Sequence, residues 1–159
     1  MNITILSVGK IKEPFYRDAI EELKKRLSRY IKLQIVEVSD EKTPESASEK
    51  EKEAILNKEG ERLLKRFPKD AYVIALAIEG RQLDSVQFSK TIQSLGVGGV
   101  SHIAFVIGGS FGLSKKVLGS ADMLLSFSKM TFPHQLMRVI LLEQVYRSMR
   151  MIHNEPYHK

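Results

Sequence analysis

Short apolar runs alternate with stretches of helical period along the whole chain, and this alternation constrains the fold more than any other feature. Ile3 to Val8, Leu33 to Val38, Tyr72 to Ile78, Ile103 to Ile107 and Met123 to Phe127 read as strands. Between them lie helical segments. The first opens at Pro14, suited to a helix first turn, and runs to about Arg29 with Phe15, Ala19, Leu23 and Leu27 recurring. After the polar loop Ser39 to Ala47, Ser48 and Glu51 offer a capping box for a highly charged helix reaching about Phe67. Asp84 can cap a third helix, which Gly96, Gly98 and Gly99 end. A short helix is expected from Leu113 to Leu118, and a long one from about Pro133 to Ile152 carries Leu136, Val139, Ile140, Val145 and Met149. Parallel strands need crossover connections, so this order predicts an α/β sandwich with a mostly parallel sheet. The near-continuous apolar run at Tyr72 fits a strand covered on both faces.

The chain has 159 residues, enough for one domain that buries roughly 70% of its unfolded surface without staples. No cysteine is present, which excludes disulfides, thiolate metal sites and cysteine nucleophiles. The N-terminal apolar run is too short for a secretory core and no basic stretch precedes it. No stretch approaches the ~20 apolar residues of a membrane span, so a cytoplasmic protein is expected. The formal net charge is +6. Residues 1–36 carry 8 basic and 4 acidic side chains, residues 37–104 carry 10 and 12, and residues 105–159 carry 7 and 3. Positive charge therefore gathers at both ends. It suits a polyanion such as RNA, or it is a set of solvated helix faces.

Ligands of parallel sheets bind beyond the C-terminal strand ends, which directs attention to three segments. Glu79-Gly80-Arg81 follows the third strand, Gly108-Gly109-Ser110-Phe111-Gly112 the fourth, and Ser126 to His134 the fifth. The glycine segment is neither a dinucleotide fingerprint nor a phosphate loop, and on spacing alone a plain turn is an equal reading. Phe127 to His134 is long for such a connection and reads as a packed turn or as a pocket wall. The ending His153-Asn154-Glu155-Pro156-Tyr157-His158-Lys159 holds two of the four histidines, as a frayed end or as part of a site. His153, Glu155 and His158 match no metal-ligand spacing, and no metal is expected.

Several of these runs share a pattern. Ile5 to Lys10, Asn57 to Arg62, Phe105 to Leu113, Leu125 to Arg138 and Pro156-Tyr157-His158-Lys159 together resemble the large-subunit ribosomal RNA methyltransferase H family of the SPOUT class, over essentially the whole chain. The resemblance implies S-adenosylmethionine as cofactor, a trefoil knot within about residues 72–152, and a homodimer without a separate RNA-binding domain. It implies a pseudouridine of 23S ribosomal RNA, methylated at N3 on assembled ribosomes, as substrate. Cofactor contacts are expected at Leu76, Gly108, Phe127, Ser128, Lys129, Met130, Thr131 and Phe132. The catalytic candidates are His134, Tyr157 and His158, with Arg138 and Lys159 supporting. Lys159 stands where the family pattern carries arginine, and lysine lacks that planar fork.

The implied chemistry sets tasks for these residues. Phe127, Met130 and Phe132 would keep the cofactor dry. His134 or His158 would take the N3 proton, Tyr157 would stack on or hydrogen-bond the base, and Arg138 and Lys159 would stabilise charge on the ring or hold a phosphate. A dimer interface is expected on the last helix, including some of Leu141, Leu142 and Val145. Two other readings stay open on the residues alone. They are a non-catalytic ribosome-binding factor and a nucleotide-binding oxidoreductase, the latter lacking its fingerprint after the first strand.

Overall fold

The computed structural model describes residues 1–159. Strands β1 (Asn2–Val8), β2 (Lys32–Val38), β3 (Tyr72–Gln82), β4 (His102–Ile107) and β5 (Met123–Ser126) alternate with helices α1 (Pro14–Leu27), α2 (Glu49–Leu64), α3 (Ser85–Val97), α4 (Lys115–Ser120) and α5 (His134–Ile152). The strands form one sheet in the order β2-β1-β4-β3-β5, and every pairing is parallel.

Alternation along each strand sends successive side chains to opposite faces. Ile3, Ile5, Ile74, Ile103 and Phe105 meet residues of α1, α3 and α5 on one face, whereas Leu6, Val8, Val73, Ala75 and Val106 meet Leu63 of α2 and Val117 of α4 on the other. Both faces are thus covered, which is why the central strands read as unbroken apolar runs. The expected capping box forms at Ser48 with Glu51, and the expected cap Asp84 forms a second box with Gln87.

Three local expectations change. The buried stripe of α1 is Ile20, Leu23 and Leu27, while Phe15 is 63% exposed. Twelve residues at 3.6 per turn leave position 15 about a third of a turn away from position 27. Strand β3 runs four residues beyond Ile78 because the chain leaves its ladder with β5 after Leu76 and rejoins it at Arg81, so that both residues stand opposite Leu125. Gly80 makes this return possible: a Cβ there would lie 2.7 Å from the backbone carbon of Leu124. Finally, Leu141, Leu142 and Val145 are wholly buried, with no exposed surface left for a partner. They face inward because α5 packs against both α1 and α3.

Candidate active site

The loops beyond β3, β4 and β5 enclose a cleft of about 720 Å³, within the range of small-molecule sites. It is lined by 22 residues, 12 of them hydrophobic, and Glu79 is the one carboxylate among them. Each wall has a local cause. The β3 excursion presents Ala77, Ile78 and Glu79. After β4 the chain doubles back on itself, with Gly109 and Gly112 bridged and Gly112 in the left-handed region at φ +85°. A Cβ on Gly108 would collide with the Gly112 carbonyl, so the turn admits only glycine there. After β5, Ser126 Oγ donates to the Ser128 carbonyl at 3.0 Å, and the Met130 amide donates to Ser128 Oγ at 3.0 Å. These bonds fix the loop that carries Phe127 to Pro133.

Of the eight residues expected at the cofactor, Leu76, Gly108, Phe127, Ser128, Met130, Thr131 and Phe132 line this cleft, and Lys129 is exposed outside it. Phe127 turns one edge to Phe88 of α3, with ring centroids 6.3 Å apart, while Met130 stands 73% exposed at the rim.

His134, at the first turn of α5, closes one end of the cleft. Its ring lies over Gly9, where a Cβ would come within 3.4 Å of Cε1, and Asp40 flanks the same glycine. Its Nδ1 is buried without a partner. Burial, and then the Arg138 guanidinium, hold this imidazole below its usual pKa, against an opposing pull from Asp40.

Arg138 occupies a different place from the one expected for a phosphate or ring contact. It is 1% exposed, pairs with Glu37 at 2.5 Å and donates to the Gly9 carbonyl at 2.9 Å. A guanidinium committed in this way holds the first turns of α5 against the ends of β1 and β2. It therefore sets where His134 sits, four residues earlier on the same helix.

Tyr157 and His158 lie elsewhere, and the tail is ordered rather than frayed. Tyr30 Oη donates to Glu155 at 2.8 Å, and Arg150 donates to both Glu155 and the Pro156 carbonyl at 2.9 Å. Tyr157 donates to Glu143 at 3.1 Å, lies edge-on to Tyr146 and carries the Arg147 guanidinium 4.7 Å from its ring centroid. Burial, and then the Glu143 bond, raise the Tyr157 pKa, so the phenol stays protonated. Arg147 Nη1 donates to His158 Nδ1 at 3.2 Å, which places the ring proton of a neutral His158 on Nε2. Glu143 and Arg147 are members of this cluster that sequence reading missed, because on a helix their i,i+4 ion pair looks like ordinary surface charge. Lys159 is exposed. Along α5, the nine to thirteen residues from His134 to Glu143 and Arg147 span roughly 14–20 Å at about 1.5 Å per residue. Within one chain the expected catalytic residues thus form two groups. No group of three or more His, Cys, Asp or Glu side chains is placed to hold a metal, and no helix is long and apolar enough to cross a membrane.

A family model described as "Predicted SPOUT methyltransferase" matches residues 1–158. The chain belongs to the SPOUT methyltransferase family. Among its relatives are proteins named ribosomal RNA large subunit methyltransferase H from Bifidobacterium adolescentis, 61% identical, and Clostridium beijerinckii, 60% identical, each aligned over the full length of both chains. A methylase-family protein of known structure from Haemophilus influenzae superposes with a TM-score of 0.57 over 99% of this chain and 70% of its own, at 15% identity, a likeness of fold alone. Membership in a SPOUT methyltransferase family decides between the open readings in favour of methyl transfer.

Proposed function

We propose that this SPOUT methyltransferase uses S-adenosylmethionine to methylate N3 of a pseudouridine in 23S ribosomal RNA, as a homodimer acting on assembled ribosomes. The observation that carries the reading is the glycine-turned, largely apolar cleft, in a chain that matches relatives named ribosomal RNA large subunit methyltransferase H from end to end. Threading of about residues 72–152 as a trefoil knot belongs to the same reading.

The residues fit the cofactor. Gly112, with open space where a Cβ would stand, leaves backbone accessible to a close-lying ligand, apolar walls from Leu76, Phe127 and Phe132 suit a purine ring, and Glu79 can accept from hydroxyl or ammonium groups. S-adenosylmethionine supplies a methyl on a sulfonium whose positive charge vanishes on transfer. The walls favour that loss of charge by excluding water. In this reading His134, whose pKa burial lowers, receives the N3 proton, and Arg147 and Tyr157 supply a cation and a phenol donor for negative charge developing on the ring.

The two groups meet if two copies pair. Leu136 and Ile140 are half-buried apolar residues one turn apart on α5 that do not pack into the core, in line with Glu143 and Arg147. An antiparallel, two-fold pairing of α5 centred near Ile140 would set Arg147 and Tyr157 of the partner subunit beside His134. Ile140→Glu is therefore expected to yield monomers by sedimentation that retain cofactor binding and lose methyl transfer. Monomeric wild type at micromolar concentration contradicts the pairing.

The histidine assignment predicts a pH profile. A base acts only when unprotonated, so the single-turnover rate should fall with acid through a midpoint below the ordinary histidine value of about 6.5 and stay level above it. His134→Ala should lose that acid limb and about 10²-fold or more in rate. An unchanged profile in the variant assigns the proton elsewhere. The proposal as a whole is tested by offering labelled S-adenosylmethionine with 70S particles, separate subunits or free ribosomal RNA from cells lacking the modification. Label is expected in 70S particles, and label confined to free RNA contradicts the assembled substrate.

A further inference from the structure

The run Asn57 to Arg62 belongs to neither the cleft nor the tail, yet it contains a buried carboxyl group. Glu59 is 3% exposed; its Oε2 accepts from the Glu41 amide at 3.0 Å, and its Oε1 is buried without a partner. Desolvation pushes this carboxyl above the usual range, and Asp40 adds to the shift. A group so costly to bury calls for a reason at its position.

That position is behind the glycine loop. A Cβ on Gly109 would lie 3.3 and 3.4 Å from the two Glu59 oxygens. The next residue, Gly60, backs the other end of the loop: a Cβ there would lie 2.5 Å from Ser114 Oγ, which caps α4 by accepting from the Val117 amide. Two turns earlier on α2, Lys52 Nζ stands 5.6 Å from the ring centroid of Phe111 at the loop's tip. Helix α2 thus touches the loop at its start, tip and end, while Gly109, Phe111 and Leu113 line the cleft on the loop's other side.

We infer that Glu59 and Gly60 are the rear support of the glycine loop, and that Glu59 is a positioning residue for the cofactor, acting through Gly109 without touching the ligand. The inference rests on the cleft's being the S-adenosylmethionine site. The support has two parts. The Glu59 carboxyl fills the space behind Gly109 and anchors the loop after β2 through the Glu41 amide, and Gly60 lets α2 approach Ser114 closely.

The test is calorimetric titration of the intact protein with S-adenosylmethionine, paired with KM for cofactor and for ribosomes. Glu59→Ala, which empties the space and orphans the Glu41 amide, should weaken cofactor binding and raise cofactor KM about tenfold or more while ribosome KM stays within about twofold. Glu59→Gln keeps the shape and the acceptor, and should bind within about threefold of wild type. If Glu59→Ala does not fold, Gly60→Ala decides. Alanine favours a helix interior over glycine, so a purely helical role for Gly60 predicts a more stable protein of unchanged affinity, whereas the support predicts weaker cofactor binding. Wild-type affinity in both Glu59→Ala and Gly60→Ala, or equal cofactor and ribosome KM losses in Glu59→Ala, overturns the inference. A wild-type protein that binds no S-adenosylmethionine overturns the cofactor reading itself.

Discussion

Gly108→Ala is expected to lose S-adenosylmethionine binding by about two orders of magnitude, the effect of misplacing a binding loop by the order of 1 Å. The new methyl would meet the Gly112 carbonyl, and Gly112 cannot yield easily because its left-handed φ and its bridge to Gly109 already define the turn. The loop must therefore swing, and it is the cleft wall that moves. Helices and strands lie outside the turn, so far-ultraviolet circular dichroism should match wild type. Gly119→Ala is the control. No atom lies within 4 Å of a Cβ placed there, so it should leave affinity unchanged and alter stability by no more than about 1 kcal/mol. Calorimetry of the two variants side by side separates a demand of the loop from a general cost of replacing glycine.

Deleting Tyr157 to Lys159 should have the second large effect, a loss of about 10²–10³-fold in methyl transfer at unchanged cofactor affinity. The deletion takes away Tyr157 and His158 and leaves Arg147 paired to Glu143 alone, roughly 20 Å along α5 from the chain's own His134. If the tail serves the partner subunit's cleft, two inactive chains can rescue each other. Mixing tail-deleted protein with Gly108→Ala protein gives hetero-dimers in which one site joins an intact cleft to an intact tail. Random pairing makes half the dimers mixed with one working site each, so about a quarter of wild-type activity should return. Activity that stays at the sum of the two variants would show that each tail acts on its own chain.

The fold was largely legible because period and caps agree. Ser48 with Glu51, Asp84 with Gln87 and the alternating strands each specify one structure locally, and covering both sheet faces follows from them. The β3 excursion was not legible, since Ala77 to Gly80 carries no signal that the chain will rejoin the same neighbour. On α5 the apolar residues occur nearly all round, and period alone cannot rank the faces. Leu141, Leu142 and Val145 therefore look as available to a partner as Leu136 and Ile140, although only the latter two keep exposed surface.

The candidate site divides along the same line. Three strand ends could be marked from topology, and of the cofactor contacts that the family resemblance implies, all but Lys129 line one cleft there; Gly80 and Arg81, marked after the third strand, do not. Arg138 looked like a free cation in a basic segment. Its burial depends on Glu37, about a hundred residues away, and on the left-handed turn at Gly9. The Glu143–Arg147 pair, conversely, looked like routine helix chemistry until the tail folded back on it.

The decisive measurement is the chemical identity of the product. Ribosomes from cells lacking the modification would be treated with the protein and isotopically labelled S-adenosylmethionine, and their RNA digested to nucleosides for mass spectrometry. Label is expected in N3-methylpseudouridine from 23S RNA of 70S particles, and none with Gly108→Ala protein. Label in another nucleoside, or in 16S RNA, would contradict the proposed function.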